Sequence, residues 1–187
     1  MPAIDQSRIM ILATDGFEQS ELEVPLKKLK EAGATVDVVS LETGEITGWD
    51  EDDWGQAVSV DKTLSDVSPA QYDALVLPGG QINPDLLRVE KDAVDFVKAF
   101  GSSEKPLAAI CHAPWLLIEA GLLKDRKATS YNSIKKDMIN AGARWEDSAV
   151  VRDGNLITSR NPKDLDAFCA AIIEAVEGGS ERRSAAE

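Results

Sequence analysis

Apolar residues recur along this chain in two alternating rhythms. Short, nearly continuous apolar runs read as strands buried on both faces: Arg8-Ile9-Met10-Ile11-Leu12-Ala13-Thr14, Thr35-Val36-Asp37-Val38-Val39-Ser40, Ala74-Leu75-Val76-Leu77 and Leu107-Ala108-Ala109-Ile110. Between them the period lengthens to that of a helix. Segment 20–32 carries Leu22, Val24, Leu26 and Leu29 and stops at Gly33, segment 91–100 follows the same rule, and the run after Cys111 continues to Ala120 and stops at Gly121. Further on, Ala128-Thr129-Ser130 predicts a short strand and 134–141 a helix. Segments 144–152 and 156–158 predict strands around the turn Asp153-Gly154-Asn155, and 164–176 predicts a closing helix. Segment 45–60 reads as a loop and short hairpin whose acidic run, Asp50-Glu51-Asp52-Asp53, is a solvated face. Regular alternation of strand and helix is the signature of an α/β fold, a doubly wound parallel sheet sandwiched by helices.

The chain has 187 residues, 43% of them hydrophobic, enough for one buried core and short for two. We therefore expect a single domain over 1–177. From Gly178 onward the residues are Gly, Ser, Glu, Arg and Ala, which predicts a disordered tail over 178–187. The formal net charge of -13 argues against partners recognised by their negative charge, nucleic acid and anionic membrane alike. The polar segment 1–7 does not read as a secretory signal, and no apolar run reaches membrane-spanning length, so the expected location is cytoplasmic. One histidine and two cysteines without a Cys-x-x-Cys pair give no support for a metal site, and no cofactor is expected.

That single histidine, His112, directly follows Cys111 where an apolar strand meets a helical run. Neighbours on a helix do not face one another, so adjacency alone does not place a base on the thiol. A strand that turns at once into a helix does something different: it projects the cysteine from the carboxyl edge of the sheet in strained backbone, with amides turned toward the sulfur. The helix amino end favours thiolate, so Cys111 is expected to be acidic and reactive, and Pro114 suits a first helical turn. Cys169, within Phe168, Ala170, Ala171, Ile172 and Ile173, reads as a small buried residue. Pro78-Gly79-Gly80 ends another strand. It is either a tight turn or a place where backbone N–H groups meet a ligand at the carboxyl edge.

Together these segments resemble the PfpI/ThiJ family, the intracellular-protease-like branch of the DJ-one superfamily. The resemblance is carried by Asp15-Gly16-Phe17-Glu18-Gln19-Ser20-Glu21-Leu22-Glu23, by Leu77-Pro78-Gly79-Gly80 with Pro84-Asp85, and by Ala109-Ile110-Cys111-His112-Ala113-Pro114. It continues through Ala128-Thr129-Ser130-Tyr131, Asp137-Met138-Ile139-Asn140-Ala141-Gly142 and 151–160. It implies a flavodoxin-like sandwich with Cys111 as nucleophile and Glu21 as a protonated carboxyl against the sulfur. It further implies His112 oriented by Asp85 of a neighbouring subunit, and backbone N–H groups of Gly79, Gly80 and His112 as oxyanion donors. Glu18 and Tyr131 are candidate pocket residues. Glu18 otherwise serves the helix dipole and Tyr131 packing. The implied assembly is a homodimer or larger homo-oligomer, for which Trp49, Trp54 and Trp115 are either interface anchors or core.

The resemblance implies a stress-response cysteine hydrolase, acting on small carbonyl adducts of amines (deglycase or glyoxalase chemistry) or on peptides. The alternative is a redox sensor or chaperone whose Cys111 oxidises to sulfinate. An amidotransferase would need a second histidine near the carboxyl end, and the chain has none.

Overall fold

In the first strand, Ile9 and Ile11 point to one side and Met10 and Leu12 to the other, and all four are fully buried. A strand apolar on both faces needs helices above and below it, and this requirement organises the fold. The structure, a computed structural model, describes residues 3–184, with side chains described through residue 178. In chain order its elements are β1 (Arg8–Leu12), β2 (Phe17–Glu18), α1 (Gln19–Glu31), β3 (Thr35–Ser40), β4 (Glu45–Asp50), β5 (Asp53–Ser59) and β6 (Lys62–Thr63). There follow β7 (Ala74–Leu77), α2 (Ile82–Leu87), α3 (Lys91–Gly101), β8 (Leu107–Ile110), α4 (Pro114–Glu119), β9 (Lys127–Ala128) and α5 (Lys135–Asn140). The chain closes with β10 (Arg144–Trp145), β11 (Val150–Asp153), β12 (Leu156–Ser159) and α6 (Leu165–Ser184).

The central sheet runs β11-β12-β8-β7-β1-β3-β6, and every pairing in it is parallel except β11 with β12. One face packs Ile9, Ile11, Val36 and Val38 against Leu22 and Leu29 of α1 and Phe168, Ile172 and Val176 of α6. The other packs Met10, Leu12, Leu75 and Leu77 against Phe96 and Phe100 of α3, Leu116 and Leu117 of α4 and Met138 of α5. From β1 the order steps to β3 on one side and to β7 on the other, which makes the carboxyl ends of β1 and β7 the switch point where doubly wound sheets bind ligands.

The expected α/β sandwich is present, with four differences of detail. Segment 45–60 is a full antiparallel hairpin, β4 with β5, extended by β2 into a second small sheet. Segment 144–152 is not one strand: Trp145 pairs with β9 and Val150 with β12, so the chain changes sheets between them. The helix α2 was not expected; Pro84 lies in its first turn, where proline is tolerated. The closing helix continues past Gly178 to Ser184, and the end of the expected tail, 185–187, lies outside the described residues. No helix among the described residues is long and apolar enough to cross a membrane.

Near the amino ends of β1 and β7 a polar staple ties three strands together. The Oδ2 of buried Asp37 accepts from Arg8 Nε at 2.9 Å, Lys62 Nζ at 3.0 Å and Tyr72 OH at 2.9 Å. Burial opposes ionisation here, but the three donors outweigh it and hold the carboxyl below its ordinary value. Asp37→Ala strands the buried Tyr72 hydroxyl and is expected to cost roughly 1–3 kcal/mol. Urea unfolding should show a lower midpoint at unchanged slope; a midpoint equal to that of the native chain would show that the staple adds nothing net.

Candidate active site

Cys111 follows β8 with φ +63°, a left-handed backbone that a side-chain-bearing residue adopts only where its surroundings insist. They do so from both directions. The Cys111 N–H donates to Ser159 O at 3.1 Å, continuing the β8–β12 ladder, and the Cys111 carbonyl accepts from Tyr131 N–H at 2.8 Å. The chain thus turns between Ile110 and Pro114, and α4 starts at Pro114 rather than at His112. In this turn, unlike on a helix, adjacent side chains do meet: Cys111 Sγ lies 3.1 Å from His112 Nδ1.

Glu21 comes from the first turn of α1 and is completely buried. Pro25, one turn later, lacks the N–H that would otherwise bond the Glu21 carbonyl, so α1 forgoes one helical hydrogen bond where it carries this carboxyl. Glu21 Oε2 accepts from Gly79 N–H at 2.9 Å, while Oε1 is buried with no nitrogen or oxygen partner. What remains beside the carboxyl is the Cys111 thiol. Burial, reinforced by the charge of Glu18, pushes Glu21 up to about 8, so it carries a proton at neutral pH and has an O–H to donate toward the sulfur.

The thiol itself is also pushed up, chiefly by burial, against the lowering pull of the Gly80 and His112 amides. This corrects the expectation of an acidic cysteine. The sulfur is too deeply buried for the amides of the turn to offset its desolvation, so the resting group is a thiol that needs a base. Burial keeps His112 below its ordinary value, hence neutral and able to accept a proton.

The structure brings together Cys111, His112, Glu21 and the amides of Gly80 and His112. Gly79 differs from its expected part: its N–H goes to Glu21. Asp85 lies exposed on α2, and within the chain the other ring nitrogen of His112 meets Ser133 Oγ at 3.0 Å. Glu18 is half-buried just before α1, accepts from Ser20 Oγ at 3.2 Å, and is raised by burial and by Asp50 and Glu51 of the neighbouring hairpin. Tyr131 stacks on the His112 ring, centroids 4.8 Å apart, and lines a cavity of about 270 Å³ with Asn132, Trp145 and Arg160. Trp115 packs edge-on against the same ring, Trp54 is exposed, and Trp49 meets Trp54 edge to face on the hairpin.

Two positions had no signal in the sequence. Asn83 is fully buried: its Oδ1 accepts from Thr14 N–H at 2.8 Å, and its Nδ2 donates to Pro78 O at 2.9 Å and Gly79 O at 3.3 Å, fastening the turn after β1 to that after β7. Ser133 follows Tyr131 in a stretch whose pattern predicts only a helix start. Among the described residues no cluster of His, Cys, Asp or Glu has the arrangement of a metal site.

The chain is similar to proteins of one family. The DJ-1/PfpI family model matches residues 7–175. A Bacillus subtilis protein named YraA, a candidate cysteine protease, is 47% identical over 162 residues, 86% of this chain and 93% of its own length. Deglycase PfpI of Pyrococcus furiosus is 44% identical over 170 residues, 91% of this chain and 99% of its own. Among solved structures, DJ-1beta of Drosophila melanogaster superposes with a TM-score of 0.83 at 31% identity, covering 92% of this chain and 91% of that one.

A side chain at position 79 would put Cβ 2.5 Å from Glu21 Oε2 and 2.6 Å from Cys111 Cβ. Gly79→Ala is therefore expected to slow Cys111 alkylation by iodoacetamide about tenfold or more and to cost roughly 1–3 kcal/mol; alkylation at the native rate would show that the two side chains do not need this close approach. Glu21 supplies a pH signature. Its folded pKa lies above its unfolded one, so the native state binds the extra proton, and its contribution to stability is full below about pH 4.5 and is lost as pH rises through about 8. Thermal melts from pH 5 to 9 should fall for the native chain, by up to about 1.4 kcal/mol per pH unit, and fall less for Glu21→Gln; parallel curves would mean that Glu21 is ionised throughout.

Proposed function

Because the chain belongs to the DJ-1/PfpI family, we propose that it is a cysteine-dependent hydrolase, with deglycase-type chemistry on carbonyl-modified amines or peptidase chemistry on polypeptides. The observation that carries this reading is the 3.1 Å approach of Cys111 Sγ to His112 Nδ1, with a protonated carboxyl and two amides around the same sulfur. The sulfur adds to the carbonyl carbon while its proton passes to Nδ1. The resulting oxyanion is held by the N–H groups of Gly80 and His112, donors fixed beforehand in a dry site. On an amide, collapse breaks the C–N bond and expels the amine, which takes the proton back from the imidazolium, and water hydrolyses the thioester left on sulfur.

Gly80 supports the donor role through its backbone. At φ +81° it packs so tightly that a Cβ would lie 2.5 Å from Gly16 O and 2.7 Å from Glu18 N. Assembly as a homodimer or larger and a stress-related role in the cytoplasm belong to the same proposal. The exposed Leu86 and Val89, on and just after α2, support the assembly. The same carboxyl and amides would also hold a sulfinate, so a peroxide-sensing role for Cys111 is the second reading.

The test compares the native chain with Cys111→Ala on methylglyoxal, on methylglyoxal-treated protein and on an unfolded protein. Carbonyl loss that disappears in the variant supports the deglycase, and cleavage that disappears supports the peptidase. If neither depends on Cys111, the hydrolase reading fails, and selective oxidation of Cys111 by mild peroxide would then favour the sensor.

A further inference from the structure

A buried thiol with a raised pKa is useful only if its base is held in one tautomer. The imidazole of His112 has two nitrogens, and a proton on Nδ1 would leave nothing to accept from sulfur. Both nitrogens are accounted for inside this chain: Nδ1 faces Cys111 Sγ at 3.1 Å and Nε2 faces Ser133 Oγ at 3.0 Å. Among the described residues no carboxylate is hydrogen-bonded to the ring.

We propose that Ser133 is a positioning residue, which accepts from Nε2–H and so holds His112 with Nδ1 open to the Cys111 thiol. The inference rests on the reading of Cys111 as nucleophile and His112 as its base.

Three features give the serine a fixed place. It lies in the short 3-10 turn Asn132–Ile134, whose Ile134 N–H donates to Tyr131 O. The next link is Tyr131 N–H to Cys111 O at 2.8 Å, so the turn that presents the hydroxyl is bonded to the backbone of the nucleophile. Buried Ile134 and Met138 anchor the far side of the turn in the core beneath α5. The ring is also confined in its plane, stacked on Tyr131 with 25° between planes and met edge-on by Trp115 at 5.2 Å, whose indole N–H is held by Asp137 Oδ2 at 3.0 Å. Rotation by a half-turn is thereby opposed by packing, and with the Cys111 S–H donating to Nδ1 the hydroxyl is left to accept from Nε2–H.

The proton balance is closed. In the neutral ring Nε2–H donates to Ser133 Oγ and Nδ1 is bare. When the thiol reacts, the S–H bond breaks, the electron pair stays on sulfur, and Nδ1–H forms. Nε2–H still donates to the same oxygen, so the serine serves both states and loses no proton. A serine in this place makes the orienting group part of the same chain, whereas the resemblance to relatives implied a carboxylate, Asp85, from a second copy.

His112 is the only histidine, so the ring signals of a uniformly 15N-labelled sample belong to it alone. The native chain should show protonated Nε2 and bare Nδ1. Ser133→Ala should mix the tautomers and slow alkylation of Cys111 by iodoacetamide about tenfold, and Ser133→Thr, which restores a hydroxyl, should recover both. Position 133 is exposed, so the alanine variant should fold, and the threonine variant guards against the contrary case. Unchanged ring signals and alkylation in Ser133→Ala overturn the proposal, as does a threonine variant no better than alanine. A chain that turns over neither carbonyl nor peptide yet shows the Ser133-dependent tautomer sinks the hydrolase reading and leaves the positioning role standing.

Discussion

The site depends on how closely three strand ends approach one another. At the carboxyl edge of the sheet, the backbone of Gly79 passes between the Glu21 carboxyl and Cys111 with no room for a single extra carbon. This contact sets the other distances. With no side chain at 79, the Gly79 N–H reaches Glu21, and Gly80 turns left-handed against the loop after β1. Asn83 locks that loop to the Gly-Gly turn from below. The sulfur therefore meets a carboxyl from the β1 side, an amide from the β7 side and an imidazole from its own turn, each from an element packed against a different part of the core.

Such an arrangement is locally unfavourable. A left-handed cysteine, a fully buried carboxyl and a desolvated thiol all raise the free energy of the folded chain. They persist because the surrounding structure over-determines them: apolar layers on both faces of the sheet, ladder bonds on either side of Cys111, and the Asp37 staple at the opposite edge. Rigidity at one end of the strands and strain at the other are two aspects of the same packing. Cys169, by contrast, sits in α6 with its thiol raised mainly by burial.

Much of this was legible in the residues themselves. The core strands declare themselves because sheets covered on both faces need apolar runs, and the elbow because a thiol and an imidazole stand where one rhythm gives way to another. Glu21 became visible only through the resemblance, since on the helix period alone it is a charged residue near an amino end. Asn83 and Ser133 escaped for a common reason. Their importance lies in hydrogen bonds to segments far along the chain, and hydrophobic periodicity carries no record of such bonds. The acidity expected of Cys111 failed differently: the dipole argument was sound in sign but took no account of desolvation, which depends on depth and therefore on the tertiary structure. The antiparallel β11 could be read from the short turn Asp153-Gly154-Asn155, whereas the change of sheets between Trp145 and Val150 left no mark in the apolar pattern.

The two margins of the central sheet carry a consequence for self-association. On one side it ends in β6, only Lys62 and Thr63, and on the other in β11, whose Arg152 and Asp153 are charged. Neither margin offers a long apolar ribbon of unpaired amides and carbonyls on which another strand could grow. The central sheet thereby offers no edge along which copies of this chain would readily grow into fibres.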